Sequence, residues 1–179
     1  MEQSIETITK RRSMRAYEEK EVSEETLSEI IRIARSAPSA GNLQSYYILS
    51  VRNKQLLKKL WKHSMEQDQV KDCSVLLVFC ADLEQSAKKY RSRGRDLYCI
   101  QDATIVCAYA QLACQFFGLG SCWVGSFFEE EVAETLELDQ TKYLPIALLP
   151  IGFTHPDEKK RMAKRPKKRK DLEEVYKKL

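Results

Sequence analysis

Between Asp102 and Glu129 the chain carries no charged residue: ATIVCAYAQLACQFFGLGSCWVGSFF, 26 residues from Ala103 to Phe128. A run of that length could cross a bilayer, since about 20 apolar residues suffice. Three features argue against a span. Gln111 and Gln115 stand in its middle, and Gly118, Gly120 and Gly125 interrupt its second half. The helix-compatible part, Ala103 to Phe117, is only about 15 residues, roughly 22 Å at 1.5 Å per residue. The pattern predicts instead a helix buried on nearly all sides, a tight glycine turn and a buried strand. The rest of the chain would wrap around that unit.

The remaining chain reads as an ordinary globular protein. With 179 residues, 43% hydrophobic and 31% charged, it can bury a substantial core, and one domain over residues 1–179 is expected. The opening MEQSIETITKRRS is polar and shows no secretory segment. Six cysteines (73, 80, 99, 107, 114 and 122) form no CxxC pair and no metal-like spacing with the two histidines, so no metal is expected. Most lie in apolar runs and read as buried, reduced thiols of a cytoplasmic protein. Residues 159–170, KKRMAKRPKKRK, carry nine basic and no acidic side chains. Subtracting these nine from the net charge of +4 leaves −5 for the remainder, so the protein as a whole is not a basic nucleic-acid binder.

Residues 4–11 read as a short helix. Ser23 before Glu24 and Glu25 is an N-cap signal, and Leu27, Ile30, Ile31 and Ala34 recur at helical spacing, predicting a helix over 24–37 ended by Pro38. Tyr46–Val51 reads as a strand, and Asn53 caps a helix carrying Leu56, Leu57, Leu60 and Trp61. SVLLVFC (74–80) and PIALLPIGF (145–153) are apolar runs of strand length, buried on both faces. A polar helix or loop runs through Arg95. The long helix is expected over 96–117, with Leu97, Ile100, Thr104, Cys107, Gln111 and Cys114 along one stripe. EEEVAETLEL (129–138) is helical, and DLEEVYKKL closes the chain as an amphipathic helix or strand end. Helices around two or three buried strands predict an α+β or three-layer αβα domain.

Four segments look chemical. In RRSMR (11–15), guanidinium groups and a hydroxyl lie close together, a combination suited to a phosphate or an anionic ring edge, or merely a solvated basic turn. APSAGNLQ (37–44) offers backbone amides between small residues, with the amide side chains of Asn42 and Gln44; turn chemistry alone also accounts for it. GLGSCWVGSF (118–127) permits close backbone approach, but its glycine spacing is not the dinucleotide fingerprint. KRPKKRK (164–170) reads in isolation as a nuclear-type signal or a nucleic-acid tail, though without interleaved aromatics. His63 and His155 belong to no acid or cysteine constellation and read as structural. Gly-x-Ser-x-Gly, HExxH and phosphate-loop motifs are absent.

In order and spacing, RRSMRAY, APSAGNLQ, QDATIVCAYAQLACQFFGLGSCWVGSF, LLPIGF and KKRKDLEEV resemble the nitroreductase family over nearly the whole chain. That resemblance implies an αβα homodimer with a mostly antiparallel central sheet and two FMN molecules in clefts at the subunit interface. It makes Arg11, Arg12, Ser13 and Arg15 cofactor ligands, with Arg11 and Ser13 at the phosphate and ribityl chain and Arg15 at the pyrimidine edge. Pro38, Ser39, Ala40, Asn42 and Gln44 would come from the second subunit. Trp123, Val124 and Gly125 would lie beside the ring, with the Gly125 N–H aimed at N5. Lys167 and Arg169 would return to the phosphate, leaving the other lysines of the block solvated. NAD(P)H would be the electron donor and a small molecule the acceptor, in a ping-pong cycle needing no catalytic side chain; a flavin carrier or sensor is the competing reading. No nucleic-acid or membrane partner is implied. Two departures stand out: Ser45-Tyr46 follows Gln44 where most members have Pro-Trp, and the region between Trp61 and Cys73 is short and Tyr90–Arg95 polar, where larger members carry substrate-covering insertions.

Overall fold

The computed structural model describes residues 2–179. Its centre is a sheet of four strands, β1 (Tyr46–Val51), β2 (Val75–Asp82), β3 (Gly120–Ser121) and β4 (Tyr143–Gly152). They lie in the order β1-β2-β4-β3, every pair antiparallel. The two long apolar runs are the inner strands. Their side chains alternate with the pleat: Val75, Leu77, Phe79, Leu149 and Ile151 face one side, and Leu76, Val78, Cys80 and Leu148 the other.

Each face is covered by helices. On the first side lie α2 (Glu24–Ala34) and α5 (Cys99–Phe116); on the second lie α3 (Lys54–His63) and α6 (Glu129–Thr135). The three-layer αβα expectation therefore holds. Caps are where the residue types put them: the Ser23 hydroxyl accepts from Thr26 N–H, and the Asn53 side chain accepts from Gln55 and Leu56 N–H. His155 is structural too, its Nδ1 accepting from Asp157 N–H at the start of α7 (Pro156–Lys164). The remaining helices are α1 (Glu2–Lys10), α4 (Leu83–Arg93) and α8 (Leu172–Val175). The last is a single exposed turn, so the C-terminal segment forms no strand end. All six cysteines are buried and unpaired, and burial pushes the Cys114 thiol up to about 12.

Two expectations for the charge-free stretch are corrected. The helix extends beyond the charge-free run: α4, kinked at Arg91 (φ 53°, ψ −136°), leads through a widened turn at Gly94–Tyr98 into α5, and this kinked stretch, Leu83–Phe116, contains a segment long and apolar enough to span a membrane. Length therefore does not exclude a span. What marks α5 as a core helix is its packing on the sheet through Val106, Cys107, Ala110, Ala113 and Cys114. Nor is the helix buried all round. Leu97 and Thr104 are exposed and Ile100 and Gln111 half-buried, while Cys99, Asp102, Ala103, Val106 and Ala110 make the buried stripe with Cys107 and Cys114. From Ala103 to Phe116 the helix carries no charge on any face, so that part gives no contrast from which to choose its inner side. The outer face, with Thr104, Ala108, Tyr109 and Phe116, is uncharged yet exposed in the single chain.

Candidate functional site

Residues 11–18 are held on the fold by their backbone. Ser13 bridges Ser121 in parallel, and Met14 N–H donates to Ser121 O at 3.0 Å, extending the sheet beyond β3. On the other side Tyr17 bridges Thr154, His155 N–H donates to Ala16 O, and Arg15 N–H donates to Glu158 Oε1 at 3.1 Å. Glu158 is buried and takes both the Nε and Nη2 of Arg161 at 2.7 and 2.8 Å. Those bonds hold its carboxyl below the ordinary Glu range. Gly120 is required for this close approach, because a Cβ there would collide with Thr154 Oγ1 and Met14.

This anchoring leaves the cationic side chains over a cleft of about 510 Å³. Arg11, Arg12, Ser13 and Arg15 line it from one side, and Met162 and the extended segment 165–169 from the other. Seven of its lining residues are Lys or Arg and none is Asp or Glu. Arg11 Nη1 is buried without a hydrogen-bond partner. Burial first, and then the charge of Arg169, pulls the Arg11 pKa down; Lys167 is lowered by burial and by Arg12, Arg11 and Arg169. Lys167 Nζ donates to the Thr9 carbonyl, which ties the basic segment to α1. Cations driven together around an unsatisfied guanidinium form a site for a phosphate or a comparable oxyanion.

The second expected group lies elsewhere. Pro38, Ser39 and Ala40 line a separate, mainly neutral hollow with Tyr98, Ile100, Gln101, Asp102, Thr104 and Ile105. Asp102 organises it: one carboxylate oxygen accepts from Ala40 N–H at 2.9 Å and the other from Ser45 N–H at 3.3 Å, so a single buried side chain clamps both ends of the loop. Burial raises the Asp102 carboxyl above the ordinary Asp range against these bonds. The Ser39 hydroxyl closes the loop further by accepting from Gln44 N–H at 3.0 Å. A proline at position 45, the usual residue in the resembled family, would lack the N–H that reaches Asp102. Gly41, Asn42 and Gln44 have φ of 56°, 56° and 49°; neither Asn42 nor Gln44 lines either cleft.

The third group, Trp123 to Gly125, lines neither cleft. Trp123 is half-buried against the α2/α5 core. Val124 is buried, and its N–H and C=O both bond to Leu148 at 2.9 and 3.0 Å, so it has no hydrogen-bonding group to offer a ligand. Gly125 is exposed, and its N–H has no backbone partner among the described residues.

Reading the residues in order misses Asp102, Arg165 and Lys168. Asp102 carries a signal in hindsight, as the acid at the N-terminal edge of the charge-free run. Arg165 and Lys168 carry none, because they look like every other basic residue of their block; Lys168, expected to be a solvated lysine, lines the cleft.

Residues 8–72 and 65–153 match the family described as Nitroreductase family. An Archaeoglobus fulgidus protein whose name couples NADH dehydrogenase with NAD(P)H nitroreductase is 32% identical over 136 residues, 76% of this chain and 75% of its own. The NAD(P)H-type FMN reductase of Bacillus subtilis is 31% identical over 180 residues, 93% of this chain and 70% of its own. Among solved structures, B. megaterium NfrA1 superposes with a TM-score of 0.84 at 28% identity, covering 98% of this chain and 74% of that one.

Proposed function

This chain belongs to the nitroreductase family, and we propose that its cationic cleft holds the phosphate of FMN in an NAD(P)H-dependent oxidoreductase acting on small organic acceptors such as nitroaromatics and quinones. The observation that carries the cofactor assignment is Arg11: its buried, partnerless Nη1 sits among cations that depress its own pKa, in a cleft without a carboxylate. A phosphate satisfies the donor and the charge together.

The residues divide the work. Arg11, Lys167 and Arg169 hold the phosphate, with Arg12 beside them, and the Ser13 hydroxyl serves the ribityl chain. Arg15 places a cation where negative charge on the ring is favoured. Gly125 contributes a backbone N–H and Trp123 a flanking ring. When bound, FMN supplies the chemistry, taking a hydride from NAD(P)H and passing two electrons to the acceptor in alternation.

The two clefts of one chain are separate surfaces, which supports a homodimer in which Pro38–Gln44 of one copy close the site of the other. The exposed uncharged face of α5 and the exposed Ile5 and Ile8 of α1 are apolar surface suited to that contact. A cytoplasmic location accords with six reduced, buried cysteines.

An absorption spectrum of the purified protein followed by NAD(P)H oxidation with a quinone acceptor tests this reading. Flavin bands and acceptor-dependent turnover are expected. Flavin bands without NAD(P)H oxidation would turn the protein into a carrier, and a colourless protein that takes up no FMN would remove the cofactor assignment.

A further inference from the structure

Residues 85–95 carry Lys88, Lys89, Arg91, Arg93 and Arg95 and no acid. None of the five is in an ion pair among the described residues. Contact, rather than charge, separates them. A Cβ on Gly41 would stand 2.9 Å from Lys89 Nζ and would collide with the Tyr90 hydroxyl, so both side chains close over the Gly41 loop. Tyr90 meets Tyr98 edge to face, with ring centroids 5.1 Å apart. In an unbroken helix, residues eight apart would be separated by about 12 Å along the axis; the kink at Arg91 and the widened turn bring them together. Arg93 Nε then donates to the Tyr98 hydroxyl oxygen at 2.8 Å, with the guanidinium carbon 5.4 Å from the ring centroid. The side chains of Lys88, Arg91 and Arg95 make no such contact among the described residues.

Tyr98 also lines the neutral hollow, where Pro38, Ile100 and Ile105 supply apolar walls. Its volume of about 510 Å³ is that of a small-molecule site. Because the Tyr98 oxygen accepts from Arg93, its own hydrogen is left to donate, and the two Nη groups of Arg93 have no partner among the described residues. Asp102, the one acid lining the hollow, has both oxygens on the Ala40 and Ser45 N–H groups. The hollow therefore combines apolar walls with a hydroxyl donor and two cations at one end.

We propose that this hollow takes an electron acceptor that is a planar aromatic carboxylate. The Arg93 guanidinium and the Tyr98 hydroxyl hold the carboxylate, Lys89 adds charge beside them, and the apolar walls take the ring. The inference rests on the oxidoreductase reading above and narrows its acceptor class. In that reading Pro38–Gln44 close the flavin site of the other copy, which puts the hollow beside that site. Lys89 and Arg93 are exposed, so replacing them leaves the core and the cationic cleft intact.

The test is calorimetric binding of 2-naphthoate and its uncharged counterpart 2-naphthamide to the FMN-loaded protein, which reads the carboxylate without turnover. The expected result is about tenfold tighter binding of 2-naphthoate, the order of one hydrogen bond to a charged group. In K89Q/R93Q the two ligands should bind alike while FMN content stays unchanged. K88Q/R95Q removes the same charge away from Tyr98 and should keep the preference; Y98F should reduce it. As acceptors, 4-nitrobenzoate should lose about tenfold in kcat/KM relative to 4-nitrobenzamide in K89Q/R93Q, a comparison from which their unequal reactivity cancels. Equal affinities or no binding in the unaltered protein, a preference that survives K89Q/R93Q or falls equally in K88Q/R95Q, or an unchanged acceptor ratio or no reduction of either acceptor would overturn the inference. Each leaves the FMN assignment standing. A protein that takes up no FMN would overturn both.

Discussion

The two clefts use opposite physical means. The cleft between residues 11–15 and 165–169 is built from charge: its side chains are under-partnered, and Arg11 keeps a buried donor unspent. The hollow over Pro38–Ala40 is built from shape: its loop is neutral, and Ala40, Gln44 and Ser45 N–H are all consumed by Asp102 and Ser39. The first has unmet electrostatic demand and should bind by charge. The second spends its polar groups internally and offers a preformed apolar surface. A phosphate needs the former, and a flat ring or a facing subunit needs the latter.

Breaking the clamp should have the largest effect. Asp102→Ala strands two backbone donors, each costing about 1–3 kcal/mol if left unsatisfied. Denaturant unfolding should therefore show a loss of about 2–6 kcal/mol. Asp102→Asn, which keeps one acceptor, should lose less. Arg11→Ala should leave the fold intact and weaken FMN binding by about 10- to 150-fold, the range for a hydrogen bond to a charged group, measured by fluorescence titration. Stability falling with Arg11 rather than with Asp102 would invert the contrast between the clefts.

Arg15→Ala should lower the flavin midpoint potential by about 30 mV, equal to about 1.4 kcal/mol for a two-electron couple, and slow reduction by the nicotinamide donor. An unchanged potential would remove Arg15 from the ring. The smallest effect concerns Glu158. Its carboxyl is held below the ordinary Glu range by Arg161 and by Arg15 N–H. Its contribution is thus present above the ordinary Glu pKa and lost as the pH falls through the depressed value. Acidification below about 4.5 should loosen residues 13–15 and release FMN, and Glu158→Gln should remove that part of the pH dependence.

Much of the fold is legible from local pattern. SVLLVFC can only be an inner strand, Ser23 and Asn53 announce their helices, and the glycines after α5 mark its end. The cationic cleft is legible where charge is dense, as in Arg11–Arg15, and where the family resemblance names a lining residue, as in Lys167 and Arg169. What stays hidden depends on packing between distant segments. The inner face of α5 could not be chosen from its charge-free part, Ala103 to Phe116, which has the same polarity on every side. Val124 looks like part of a ligand loop but spends its backbone on Leu148. Asp102 reads as the border of an apolar run, and only the fold brings it 2.9 Å from the Ala40 N–H.

Native mass spectrometry of the purified protein tests the pairing of the two clefts most directly. The proposed homodimer, with a charged half-site and a shaped half-site on each chain, predicts two chains holding two FMN molecules and no flavin on the monomer. A monomer that retains FMN through dilution would show that the cationic cleft needs no second copy, and would contradict this assignment.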